Sequence, residues 1–120
     1  MDALDEERLM TVCDGDREGA YALLQLAVDS TRDLVERMRI ALDQGDVAEM
    51  GVIVHEMRGS CSSVGAVELA RLAHALEEEL EIQNATTLAA ARIEEFHDAL
   101  DRLEAAKAGL RDSARTQPVR

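Results

Sequence analysis

The sequence predicts an all-α protein, an antiparallel four-helix bundle with a short extra N-terminal helix. Three observations predict it. Ala, Leu, Glu, Arg and Asp dominate the 120 residues, with a single proline (Pro118) and Tyr21 and Phe96 as the aromatics, so the β-branched and aromatic residues that build sheets are scarce. Apolar residues recur at spacings of three, four and seven, the period of one helix face. Gly-containing turns flanked by Asp separate the periodic runs, as helix stops and starts do. A chain of this length makes one domain, large enough for a core but too short for separate cofactor and substrate lobes.

Taken in order, DEERLMTV (5–12) suits a short first helix closed by Asp14-Gly15-Asp16. A long helix follows from Arg17 to Leu42, with Ala20, Leu23, Leu24, Ala27, Leu34, Met38 and Leu42 on its apolar stripe. At Gln44-Gly45-Asp46, glycine takes the left-handed cap position and Asp46 the N-cap of the next helix, and so short a link makes the two antiparallel neighbours. The third helix covers Val47–Val64 and ends at Gly65; the fourth runs from Ala66 to Ile82, where Gln83-Asn84 breaks it. A fifth, Thr87–Leu110, carries Leu88, Ala91, Ile93, Phe96, Leu100, Leu103 and Leu110. The bundle is thus expected over 1–110, with RDSARTQPVR (111–120) as a disordered tail that loses the periodicity.

Bulk properties exclude several function classes. A formal charge of −12 with no basic stripe argues against nucleic acid, whose phosphates repel such a surface. No apolar run approaches the ~20 residues of a membrane span, and MDALDEER lacks the basic-then-apolar plan of a signal peptide. Cys13 and Cys61 fall in apolar helical patterns and read as reduced core thiols, so a cytoplasmic location is expected. A monomer is expected too, because the helix faces are accounted for without a large leftover apolar patch.

The stretch VHEMRGSCSSVGA (54–66) does not fit a purely structural helix. Val47, Met50, Val54, Met57, Cys61 and Val64 form the core stripe, and at 100° per residue His55 lies roughly 130° from its middle. Gly51, His55, Arg58, Gly59 and Ser62 share that outer side, flanked by Ala48 and Val52. Interior glycine costs a helix roughly 1 kcal/mol against alanine, so folding does not favour it. A glycine one turn either side of a histidine does remove bulk where another protein would approach. Taken singly, His55 and Arg58 are ordinary solvated residues and Gly51 a packing residue; the joint pattern suggests a docking face.

In the fourth helix Leu69, Leu72, Ala73, Leu76 and Leu80 form the core stripe, and Ala70, His74, Glu77 and Glu81 step along one flank. The tight Val64-Gly65-Ala66 junction packs the two helices antiparallel, which turns that flank towards His55. A carboxylate there, accepting from one ring nitrogen, fixes the tautomer and leaves the other nitrogen's lone pair outward and nucleophilic. On its own Glu77 is equally a solvated acid.

The run His55-Glu56-Met57-Arg58-Gly59-Ser60, then Val64-Gly65-Ala66, Leu69, Leu72, Ala73, Leu76 and Glu77, resembles the histidine phosphotransfer (HPt) domain. That family's pattern is His, any residue, an apolar residue, Lys or Arg, Gly and a small residue, then Gly-Ala and a distal Leu-Glu. The likeness extends through the ALDQGD turn and covers roughly residues 4–105.

The resemblance implies a phosphorelay carrier in two-component signal transduction. His55 would take a phosphoryl group from a receiver-domain aspartate and pass it to another receiver. Arg58 stands where the family mostly has lysine, within reach of phosphoryl oxygens, and Gly59 permits close docking. His74 and Glu77 match a pair that joins the reactive histidine in the phosphotransfer domain of chemotaxis kinases. The implied partners are receiver domains of response regulators and hybrid histidine kinases. No cofactor or metal is expected in this chain, because the resemblance assigns Mg²⁺ and a lysine to the receiver.

Rival readings have less behind them. A kinase needs a glycine-rich phosphate loop, which the sequence lacks. A di-iron bundle needs paired Glu-x-x-His motifs, and only Glu94-x-x-His97 fits. A non-transferring adaptor or inhibitor that binds a receiver or kinase is the main alternative. A purely structural bundle leaves the glycine-flanked histidine unexplained.

Overall fold

Asp5, Asp16 and Asp46 each start a helix by accepting the amide of the residue three positions on, Arg8, Gly19 and Glu49, at 3.1 Å. The computed structural model, which describes residues 2–82 and 86–116, has the element order α1 (Glu6–Val12), α2 (Arg17–Asp43), α3 (Val47–Ser63), α4 (Val67–Ile82) and α5 (Thr86–Thr116). No strand occurs among the described residues. The expected all-α bundle is the fold observed.

The ends of these helices follow a repeated device. Past Asp43, Gly45 adopts φ +67°, its amide donates to the Leu42 carbonyl (3.0 Å), and the Asp46 amide reaches back to Ala41 (2.9 Å). This is the Schellman arrangement, which satisfies carbonyls left open at a helix end. The same pair of bonds recurs at Gly65 and Ala66 after α3, where Gly65 has φ +82°. In each turn the residue that ends one helix abuts the start of the next, so consecutive helices reverse direction.

The four long helices close a ring: α2 packs on α3 and α5, and α4 packs on the same two. Their inward stripes bury Leu24, Met38, Met50, Ile53, Met57, Leu69, Leu76, Phe96, Leu100 and Leu103 completely. Thr31 lies in this core with its hydroxyl 3.6 Å from the Cys61 sulfur, and burial pushes the Cys61 thiol above its ordinary pKa. Short α1 lies across one end. Its leading residue Asp5 donates an amide bond to the Gly65 carbonyl (2.8 Å), and Arg8 Nε donates to the Ser62 carbonyl (2.8 Å).

Some details differ from expectation. Leu88 and Ala91 are exposed, and Ala89 and Ala99 are buried in their place. The inward positions of α5 run Ala89, Ile93, Phe96, Leu100, Leu103, Lys107 and Leu110, a seam that Leu88 misses by one residue, or about 100° of rotation. Cys13 is only partly buried because it sits at the C-cap of α1. Helix α5 does not stop at Leu110 but continues to Thr116. The Gln83-Asn84 break and the last residues of the expected tail, 117–120, lie outside the described residues.

Lys107 holds a place in that seam although it is charged. Its ammonium donates to Gln25 and pairs with Glu104 (2.9 Å), and it lies 5.4 Å from the centre of the Tyr21 ring. Those partners answer a charge that burial would otherwise strongly disfavour.

Candidate functional site

His55 is on the outer side of α3 because its neighbours Ile53, Val54 and Met57 take the inward positions and are fully buried. Its side chain is 77% exposed. One turn along the same face, Arg58 is also exposed. The antiparallel packing of α3 on α4 brings Glu77 between them, its side chain only 17% exposed.

Glu77 meets both residues at once. Its Oε2 lies 2.7 Å from His55 Nδ1, and its Oε1 accepts a 2.5 Å bond from Arg58 Nη1. The bond from His55, and then that from Arg58, hold the Glu77 carboxyl below its ordinary pKa, so it is a carboxylate near neutral pH. A carboxylate only accepts, so the proton of the His55–Glu77 bond belongs to Nδ1. In the neutral ring the lone pair is then on Nε2, on the opposite edge from Glu77.

Beside His55 an open groove runs between α3 and α4, lined by Val47, Ala48, Gly51, Val52, Leu80 and Glu81. Its walls are mostly small or apolar, and Val52 is 62% exposed. A Cβ added at Gly51 or Gly59 would meet nothing within 4 Å, so neither glycine is required by packing inside the chain.

The structure thus brings together His55, Arg58 and Glu77, with Ala48, Gly51 and Val52 in the adjoining groove. Gly59 and Ser62 continue the exposed side of α3 beyond the groove, and the Ser62 carbonyl is occupied by Arg8. His74 is not drawn into the cluster: its Nε2 pairs with Glu78 one turn along α4 (3.0 Å). The groove adds Val47, Leu80 and Glu81 to the residues that the sequence pattern points to. Leu80 closes the α4 core stripe in the sequence, yet it is only partly buried, and its spacing of three from Glu77 is the signal that places it on this side. His97 is exposed on α5, away from this cluster. Among the described residues no group of His, Cys, Asp and Glu is arranged to hold a metal ion, and no helix is long and apolar enough to cross a membrane.

The family model described as "Hpt domain" matches residues 22–106. The chain belongs to the Hpt domain family. Hpt domains are phosphocarrier modules rather than enzymes, with a phosphotransfer role in two-component signalling through receiver or kinase domains. This Hpt domain is similar in fold to the crystal structure of the HPT domain from the Hpt sensor hybrid histidine kinase of Shewanella. The two are 23% identical with a TM-score of 0.67, and the match covers 98% of this chain and 97% of that one. No curated protein matches this Hpt domain in sequence.

Proposed function

We propose that this domain accepts a phosphoryl group on His55 Nε2 from the aspartyl phosphate of one receiver domain and delivers it to the aspartate of another. The observation that carries this reading is the Nδ1–H to Glu77 bond on a ring that is largely exposed.

Phosphoryl transfer needs the nucleophile in line with the bond that breaks. The Nε2 lone pair forms the N–P bond while the aspartyl P–O bond breaks, and the receiver's carboxylate leaves with that electron pair. The phosphorylated ring becomes cationic and keeps its Nδ1 proton, which faces the Glu77 carboxylate. Glu77 thereby stabilises charge that appears only as the reaction proceeds, the kind of interaction that speeds a chemical step. Delivery to the next receiver is the same exchange in reverse.

The remaining electrophilic help, Mg²⁺ and a lysine, is assigned to the receiver. The groove beside His55 accommodates the receiver surface around its aspartate, and Gly51 and Gly59 keep the approach clear. In this reading the carrier works as a cytoplasmic monomer with no cofactor of its own.

The test is incubation with receiver domains charged by acetyl phosphate. An acid-labile, base-stable phosphate is expected on the wild-type chain and not on His55→Gln, with receiver binding retained. Binding of charged receivers without any label on the wild type would instead make the domain a non-transferring adaptor. Label surviving on His55→Gln would overturn the site.

A further inference from the structure

We infer that two buried charges, Lys107 and Glu68, set the register of α5, selecting one packing of that helix rather than adding to its strength. The inference is independent of His55 and of the phosphocarrier reading.

The apolar seam of α5 leaves its register open. Its inward positions, from Ala89 to Leu110, alternate in steps of four and three. A seam with that repeat can slide by seven residues along a neighbouring helix and again set apolar residues against apolar ones. Helices α2, α3 and α4 are held to one another by the turns at Gly45 and Gly65, through backbone bonds that a sliding helix would break.

Buried charge removes this freedom from α5. Among the described residues, Glu68 and Lys107 are the buried charged side chains, and both lie at an interface of α5. Lys107 reaches from α5 to α2, where Gln25 accepts from its ammonium and the Tyr21 ring lies 5.4 Å away. Glu68 reaches from α4 to α5, where its two oxygens accept from Arg102 Nε at 2.9 and 3.1 Å. The helix is thus matched once to each of its neighbours.

A slide of seven residues breaks both matches. In one direction Lys107 would meet Val28 and the Arg32 guanidinium in place of Tyr21 and Gln25, and Glu68 would meet Gly109. In the other, Leu100 would face Gln25 and Glu68 would face Glu95, a like charge. A buried charge without a partner is strongly disfavoured, so neither displaced packing competes.

The same charges are poor sources of stability. Apolar side chains of similar volume often replace a buried ion pair at no cost. Here the partners would not be stranded. Glu104, which also pairs with Lys107 (2.9 Å), keeps Arg32 (3.4 Å); Gln25 keeps Asp29 (3.0 Å); and the Arg102 side chain is 53% exposed.

The test is the double variant Lys107→Leu/Glu68→Leu of the full chain, carrying nitroxide labels at two exposed positions. Ser30→Cys on α2 and Ala91→Cys on α5 take the labels, with Cys13→Ser in the background. The chain with both charges is expected to give one distance between the labels. The double variant is expected to stay folded, with a urea midpoint at or above that of the labelled parent. It is also expected to show a second distance population displaced by up to about 10 Å, seven residues at about 1.5 Å each. Restoring Glu68, in Lys107→Leu alone, is expected to shrink that population. A folded double variant with the single parental distance overturns the inference. So does a double variant that unfolds or whose midpoint falls, because the charges would then hold the bundle together instead of choosing its packing.

Discussion

The backbone of Asp5 passes so close to Gly65 that a Cβ built on the glycine would stand 2.6 Å from the Asp5 carbonyl oxygen. Gly65 also has φ +82°, so two separate constraints exclude a side chain there. A left-handed backbone costs an L-residue roughly 1–2 kcal/mol before any clash is counted. Gly65→Ala is therefore expected to lose about 2 kcal/mol or more in urea unfolding and to loosen α1 from the α3–α4 junction. Equal stability of the variant would show that the close passage of Asp5 is not maintained.

The glycines facing the site should respond in the opposite sense. Gly51→Ala and Gly59→Ala meet no atom of the chain, and each gains up to roughly 1 kcal/mol of helix propensity. Each is expected to raise the urea midpoint and yet to slow transfer from a charged receiver, because the added methyl would stand on the proposed docking face. A more stable variant with an undiminished rate would show that these positions lie outside the docked surface.

Glu77 links the site to acid stability. Its carboxyl titrates below the ordinary value of 4.5 in the folded protein, so the unfolded chain binds the proton more readily. The stability it contributes is present above that ordinary value and is lost as pH falls through the depressed one. Glu77→Gln is expected to flatten this part of the pH–stability curve, measured by urea unfolding between about pH 5 and pH 2. The same substitution removes the anionic acceptor for Nδ1–H, and transfer at neutral pH should fall by about tenfold, or about 1.4 kcal/mol of barrier.

His74 pairs with Glu78 instead of joining Glu77. His74→Gln is expected to leave the transfer rate within about twofold of wild type, well below the effect of losing a charge-assisted bond. A loss as large as that of Glu77→Gln would show that His74 enters the network once a receiver is bound.

Much of this architecture was legible because the chain marks its helix ends with chemistry that acts locally. Asp16 and Asp46 announce starts, and Gly15, Gly45 and Gly65 announce stops, through bonds between residues at most five apart. The register of α5 was less legible. Leu88 is large and apolar and looked inward-facing, whereas the seam is set by Ala89 and includes a lysine whose burial depends on Gln25 and Tyr21 of another helix. The exposure of His55 followed from helical phase alone. That Glu77 serves two donors did not, because it depends on how α3 and α4 settle against each other across a separation of 19 and 22 residues.

One residue joins α2 to α3 from both sides. Asp46 closes the end of α2 with its amide and opens α3 with its carboxylate. No uncommitted residue remains at that corner to act as a hinge, so the helix bearing the imidazole cannot swivel relative to its neighbour without breaking a cap. Accommodation during an encounter then falls to side-chain rotamers and to the incoming protein. Rigid-body docking from the unbound form is accordingly a sound starting point for modelling how partners are distinguished.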